Sequence, residues 1–199
     1  DIKVPNARNL VDGLMKNPGS VSAFPFESSL SVHGSKKLVV LDDFEINAGE
    51  HTGRASGSLG EAFTWHGLDL DLALSGQDLR YLFKDASSTL SRAKPYSLNT
   101  TIQNQQGIWV VNQLHASVAN STVDLSARIS DNPQHVGSAF QINAEGRNIE
   151  NLIGPWVAHP LPSLPFTVSV DVKLAEQNLH IKHLSVTVGE HELTGSLFV

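Results

Sequence analysis

The chain lacks several features that would point to particular classes of protein. It has no cysteine in 199 residues, which excludes disulfides. This fits a compartment where thiols are at risk, such as a periplasm, but many cytosolic proteins also lack cysteine. No stretch approaches the roughly 20 apolar residues that span a bilayer, and no signal peptide is present. The formal net charge is −6 and the longest basic run is Lys36-Lys37. A nucleic-acid partner is therefore not expected, since phosphate binding requires a basic face.

Catalytic constellations are also missing. No G-x-S-x-G, G-x-G-x-x-G or Walker-type sequence occurs. His180 and His183 are three residues apart and His51 follows Glu50, but metal sites need several converging ligands, so solvated positions are favoured. Asp69 and Asp71 would share the outer face of a strand. We expect no enzymatic activity, no cofactor and no metal site.

A repeated element is what the sequence does contain. Three proline–aromatic pairs lie 70 residues apart, at Pro25-Phe26, Pro95-Tyr96 and Pro165-Phe166. Residues 24–60 align without gaps on 94–130 and on 164–199, with low identity but the same apolar pattern. A fixed period of this size is typical of a modular array whose units bury their apolar faces jointly.

Each unit reads as a β-meander. After the proline, apolar and polar residues alternate strictly, as in 166–174, which is the period of a half-buried strand. The following strand contains one step of three between apolar positions, which would reverse its face unless a bulge absorbs the extra residue. The sequence therefore predicts bulges at Asp42-Asp43, Asn112-Gln113 and Lys182-His183.

Short helices separate the predicted meanders. Asp78, Asn148 and Asn9 precede helical stripes as N-caps do, which predicts helices near 8–14, 78–86 and 148–156. The fold class is mainly β: repeated antiparallel meanders forming a curved, groove-like sheet, with a short α-helix between repeats. We expect one repeat body over 1–199, a fragment of a larger protein, with units at about 7–75, 76–145 and 146–199, the last truncated.

The inward residues of these strands are apolar and form the predicted lining of the groove. They are Phe26, Leu30, Val32, Leu68, Leu70, Leu72, Leu74, Tyr96, Leu98, Ile102, Trp109, Val111, Val118, Leu125, Phe140, Ile142, Phe166, Val168, Val170, Val172, Val186 and Val188.

These units resemble the C-terminal repeats of the AsmA family of Gram-negative bacteria. The resemblance rests on a short helix such as "DLRYLF", a proline–aromatic strand, a bend in the next strand, and an ending at Gly189, Leu193, Gly195 and Leu197. The second unit departs from that ending, with Ala119, Val123, Leu125 and Ala127 in those places. The apolar face is nevertheless kept, and the resemblance covers essentially the whole chain.

The resemblance implies a periplasmic body anchored in the inner membrane by an N-terminal helix that is missing here. It implies a β-groove of the bridge-like lipid-transfer type, which binds and conducts the acyl chains of phospholipid or another envelope lipid between the two membranes. The implied role is lipid transport in support of outer-membrane homeostasis and biogenesis.

Two other functions are compatible with the residues. The repeat body could be a non-enzymatic scaffold for envelope or outer-membrane protein assembly, with envelope proteins as partners and its apolar face filled by its own side chains. A carbohydrate-binding sandwich could use Trp65, Trp109 and Trp156, but these occupy different positions in the repeat. Small inward residues such as Gly53, Ala55 and Gly57 favour the lipid groove, because they leave space that a packed interior would fill.

Overall fold

The computed structural model describes residues 26–35, 38–60, 65–79, 94–132, 134–150, 163–175 and 178–198. These contain eleven strands: β1 Phe26–Ser35, β2 Leu38–Ala48, β3 His51–Gly60, β4 Asp69–Gly76, β5 Tyr96–Gln105, β6 Ile108–Val118, β7 Ser121–Ser130, β8 Ala139–Gly146, β9 Phe166–Ala175, β10 Asn178–Val188 and β11 His191–Phe198. All belong to one sheet in chain order, and every pair of neighbours is antiparallel. The predicted mainly β, antiparallel fold is confirmed, and the sheet is open, with β1 and β11 at its edges.

The strands recur at the spacing seen in the sequence. β1, β5 and β9 begin at residues 26, 96 and 166, and the next strands begin at 38, 108 and 178. Connecting hydrogen bonds recur too. The Leu79 amide donates to the Lys94 carbonyl at 2.9 Å, and the Ile149 amide donates to the Leu164 carbonyl at 3.1 Å. This spacing is what a chain of similar four-strand units would produce.

The three predicted bulges are confirmed. Between β2 and β3, Leu41 pairs with Gly57 and Phe44 pairs with Ala55. The step between these pairs is three residues in β2 but only two in β3, which is the mark of a bulge. The same shift separates Val111 from Leu114 in β6 and Ile181 from Leu184 in β10. Each bulge absorbs one residue, so the apolar side chains before and after it lie on the same face of the sheet.

The helix predictions fall mostly outside the described residues. This applies to all of 8–14, including Asn9, and to most of 78–86 and 148–156. The predicted cap at Asn148 is confirmed, because its Oδ1 accepts a hydrogen bond from the Glu150 amide at 2.9 Å. Asp78 is buried directly before Leu79. No helix in the described ranges is long and apolar enough to cross a bilayer.

Full burial is rare in this sheet. The buried apolar residues in the described part of the chain are Leu41, Leu68, Leu79, Tyr96, Ala127, Ala144 and Phe166. Tyr96 and Phe166 start β5 and β9 and are only 6% and 2% exposed. Most other apolar strand residues are half-buried, as expected for a single sheet rather than two packed layers.

The hairpin turns between β2 and β3, β6 and β7, and β10 and β11 each have a first residue with a left-handed backbone conformation. Gly49, Ala119 and Gly189 have φ of 62°, 52° and 59°. A positive φ at the first of two turn residues is the pattern of a type II′ hairpin, which glycine adopts without steric cost. Ala119 occupies this position with a Cβ atom, so its turn is strained relative to the other two.

Replacing Ala119 with Gly should therefore stabilise the protein. Glycine relieves the backbone strain in the folded state but increases the conformational entropy of the unfolded chain. The net expected effect is a gain of about 1 kcal/mol in the free energy of unfolding. Urea denaturation measures this gain. The reciprocal variant Gly49→Ala should destabilise by a similar amount, and a loss of stability on Ala119→Gly would contradict this account of the turn.

Candidate functional site

The strand register assembles a continuous apolar face. Successive partners across all eleven strands form a central row consisting of Leu30, Phe44, Ala55, Leu72, Thr100, Leu114, Leu125, Ile142, Val170, Leu184 and Gly195. A second row beside it consists of Val32, Leu41, Gly57, Leu70, Ile102, Val111, Ala127, Phe140, Val172, Ile181 and Leu197. Neither row contains a charged residue.

A third row lies on the other side of the central one. It consists of Ser28, Ile46, Gly53, Leu74, Leu98, Ala116, Val123, Ala144, Val168, Val186 and Leu193. We call the three rows together the apolar face. Strands lie about 4.8 Å apart, so eleven strands make this face roughly 48 Å long.

The predicted lining residues fall on this face or at its margins. Trp109 pairs with Asn104 and Ile129, one row further out. A row at the opposite margin, which we call the margin row, lies beside the 49–50, 119–120 and 189–190 turns. It contains Tyr96, Val118, Phe166 and Val188. Leu68 precedes β4 and is buried. Phe26 pairs with Ala48, and its side chain lies outside the described residues.

The other face of the sheet is polar. Asp69 and Asp71 accept hydrogen bonds from Gln103 Nε2 at 3.1 Å and Thr101 Oγ1 at 2.6 Å. His115 Nδ1 lies 2.8 Å from Asp124 Oδ1 across β6 and β7. These contacts are exposed pairs between neighbouring strands, as expected for the solvated side of an antiparallel sheet.

Ion pairing on the polar face is modest. Glu45 receives hydrogen bonds from Asn47 and Arg54, at 3.2 Å and 3.4 Å, which hold the pKa of its carboxyl below the usual range. The Glu45–Arg54 pair occupies the same strand positions in β2 and β3 as His115–Asp124 occupies in β6 and β7. Exposed pairs of this kind add little stability, so they mark a hydrated surface rather than a site.

The margin row contains a contact that the sequence did not reveal. The sequence favours a solvated position for His51, but this is wrong, since His51 is the first residue of β3. It is half-buried, its Nδ1 lies 2.9 Å from the Tyr96 hydroxyl, and the two rings stack with centroids 5.8 Å apart. Burial raises the pKa of the Tyr96 phenol. The hydroxyl is therefore neutral at neutral pH and available for this hydrogen bond.

A glycine separates the two partners of this contact. His51 pairs with Gly76 of β4, and Gly76 pairs with Tyr96 of β5. A Cβ atom on Gly76 would overlap His51 Nδ1 and lie 2.8 Å from the Tyr96 hydroxyl. The side chains of β3 and β5 thus meet above the backbone of β4, and only glycine leaves room for them.

The same arrangement recurs 70 residues later with different side chains. Gly146 lies between Ser121 of β7 and Phe166 of β9. A Cβ on Gly146 would overlap Ser121 Oγ and approach the Phe166 ring to 2.7 Å. In the first arrangement His51 faces Tyr96, and in the second Ser121 faces Phe166. Ser121 Oγ and Thr100 Oγ1 are buried without a hydrogen-bond partner within the part of the chain that the structure describes.

The other candidate chemistry stays dispersed. His180 packs edge-on against Phe198 with centroids 4.1 Å apart, and it pairs with Lys173, while His183 pairs with Asp171. The described ranges contain no cluster of histidine or carboxylate residues that could hold a metal. Trp65 is exposed before β4 and Trp156 lies outside the described residues, so the described tryptophans form no stacking platform.

The polar face has shallow concavities, of which the one at its centre is the best defined. It measures about 540 Å³, and its lining includes Asp43, Arg54, Asp71, Asn99 and His115. Asp71 already binds Thr101, Arg54 binds Glu45 and His115 binds Asp124. Arg54, Asp71 and His115 are thus each engaged by a residue of a neighbouring strand. We place the candidate site on the apolar face.

Truncation of Tyr96 tests the importance of the margin row. Tyr96→Ala removes a buried ring and should lower the free energy of unfolding by roughly 3–5 kcal/mol. Tyr96→Phe keeps the ring and loses only the hydroxyl, so it should cost about 1 kcal/mol. Both are measured by chemical denaturation. A negligible effect of Tyr96→Ala would contradict the burial of this ring.

Comparison of the chain with protein-family models, with curated proteins and with solved structures finds no match.

Proposed function

We propose that this chain is a segment of a periplasmic lipid-transfer protein of the AsmA type, in which repeated four-strand units form a curved groove for phospholipid acyl chains. In the whole protein an N-terminal helix would hold this body at the inner membrane. The chain would pass phospholipid, or another envelope lipid, between the inner and outer membranes. Its role would be non-enzymatic and would support outer-membrane biogenesis.

The apolar face, in which Thr100 and Ser28 are the polar members of the three rows, is the observation that carries this proposal. Three adjacent rows cross all eleven strands without a charged residue. A lipid chain moving along a row would exchange one aliphatic contact for another. It would meet no charged group whose desolvation would impose a barrier.

The incomplete burial of the face supplies the driving force for binding. Leu72, Leu98, Ile142 and Val170 are only half-buried at the centre of the sheet. A buried methylene contributes about 0.8 kcal/mol, so a sixteen-carbon chain with half its surface removed from water gains roughly 6 kcal/mol from transfer. Part of this gain offsets the loss of motional freedom on binding.

The polar second face also supports a groove rather than a packed sandwich. A sheet buried on both sides would carry apolar residues on both faces, whereas here polar and charged residues predominate on the second face, with Val40, Ile108 and Val110 among the exceptions. The sheet is open at β1 and β11, so it does not close on itself into a small filled barrel.

A charge placed on each face in turn tests the proposal. Val170 pairs with Ile142 and Leu184 at the centre of the apolar face. Val170→Asp should reduce the phospholipid that co-purifies with the protein at least tenfold, because a carboxylate among acyl chains is costly to desolvate. Mass spectrometry of lipid extracted from protein purified from bacterial cells measures this loss, and circular dichroism verifies the fold.

The adjacent residue provides a matched control. Ser169 pairs with Asn143 and Ser185 on the polar face, and its hydroxyl donates to Asn143 Oδ1 at 2.9 Å. Ser169→Asp should leave bound lipid unchanged, since the Asn143 amide can rotate to donate to the new carboxylate. Equal losses from both variants, or a folded Val170→Asp protein with undiminished lipid, would contradict the lipid groove. The second outcome would favour the scaffold for envelope proteins.

A further inference from the structure

The central row of the apolar face contains one polar residue, Thr100. It lies on β5 between Leu72 of β4 and Leu114 of β6. In β1 and β9, which begin 70 residues earlier and later, the residues at the same strand position are Leu30 and Val170. Every other residue of this row is apolar, so a single hydroxyl group interrupts a path that is otherwise hydrocarbon.

This hydroxyl is buried and unpaired. Thr100 is 7% exposed, and its Oγ1 has no hydrogen-bond partner among the residues that the structure describes. Its inward neighbours are half-buried; they are Leu72 and Leu114 on the adjacent strands and Leu98 and Ile102 along β5. Leucine and isoleucine are longer than threonine, so the hydroxyl is recessed among four larger aliphatic side chains.

The unpaired hydroxyl has a cost that side-chain packing does not require. A buried donor without a partner loses its hydrogen bond to water and gains none in return. Valine has nearly the shape of threonine and occupies the equivalent position in β9, so an aliphatic side chain would fill this place equally well. An unsatisfied buried group calls for an explanation, and a ligand that brings its own acceptor supplies one.

The surroundings of Thr100 restrict the chemistry of that ligand. A buried water needs several polar partners, and the flanking side chains are all hydrocarbon. An ester carbonyl needs only one donor, and the acyl chain attached to it can pack against the flanking leucines. It is also the acceptor closest to the acyl chain in an ester-linked lipid. A single hydroxyl among aliphatic side chains therefore matches an ester carbonyl better than it matches water.

We propose that Thr100 selects ester-linked lipids, because its hydroxyl donates a hydrogen bond to the ester carbonyl of an acyl chain that lies along the central row. This inference rests on the proposed lipid groove and adds the class of lipid that the groove prefers. Rotation about the Cα–Cβ bond of Thr100 exchanges the places of Oγ1 and the methyl group, so the hydroxyl can turn toward a bound chain. A lipid with ether-linked chains lacks the carbonyl and forms no such bond.

Competition between two lipids that differ only in this linkage tests the proposal. The intact 199-residue protein, stripped of lipid, is incubated with vesicles that contain equal amounts of dipalmitoyl phosphatidylethanolamine and its dihexadecyl ether analogue. Mass spectrometry then measures both lipids on the re-isolated protein. The unaltered protein should carry roughly fivefold more ester than ether lipid, the ratio expected from one neutral hydrogen bond. Thr100→Val should carry equal amounts of the two.

Two further variants serve as matched controls. Ser121→Ala removes the other unpaired buried hydroxyl, which lies in the margin row rather than on the apolar face, and should leave the ester-to-ether ratio unchanged. Val170→Thr, introduced into the Thr100→Val protein, places a hydroxyl at the equivalent position of β9 and should restore part of the ester preference. Equal loading of the two lipids by the unaltered protein, or an undiminished ester preference in Thr100→Val, would overturn the proposal.

Stability of the lipid-free protein provides an independent measurement. Thr100→Val removes an unpaired donor and should raise the urea concentration at the midpoint of unfolding. A lower midpoint would show that water or the protein itself satisfies the hydroxyl, and this too would overturn the proposal. The failure of the groove is distinguishable from these outcomes. If neither lipid loads onto any variant, the lipid groove itself is contradicted, whereas equal loading of both lipids contradicts only the role of Thr100.

Discussion

The register of the ladder is the constraint on which every other feature of this sheet depends. A strand has a side-chain period of two, so a slip of one residue would move its whole apolar set to the polar face. β2, β6 and β10 each carry one residue too many for strict alternation. The bulges at Asp42-Asp43, Asn112-Gln113 and Lys182-His183 absorb this extra residue. These bulges keep Phe44, Leu114 and Leu184 in the same row as the rest of the apolar face.

The margin row shows how glycine can couple strands that are not neighbours. Gly76 and Gly146 let side chains from the strands on either side meet above their backbone. The first contact is a hydrogen bond and ring stack between His51 and Tyr96. The second brings Ser121 and Phe166 to the same glycine. A glycine that weakens a strand by itself is here needed for side-chain packing across three strands.

The two faces of the sheet divide its physical roles. Polar and charged side chains on one face keep it hydrated. The other face exposes aliphatic side chains in rows that continue from strand to strand. An apolar face this long needs an occupant, and the proposal for lipid along the rows follows from that need.

The sequence by itself determined the strands, the bulges and the side of each strand that is apolar, because alternation and its single interruptions are local properties of the chain. It also identified Asn148 as an N-cap, a contact over two residues. It could not identify the His51–Tyr96 contact, since that contact depends on the register of two strand pairs with Gly76 between them. The strain at Ala119 likewise follows from the hairpin's backbone dihedrals. Only the tertiary structure decided that all eleven strands join one open sheet, because strand order and edges follow from long-range pairing, which local patterns do not encode.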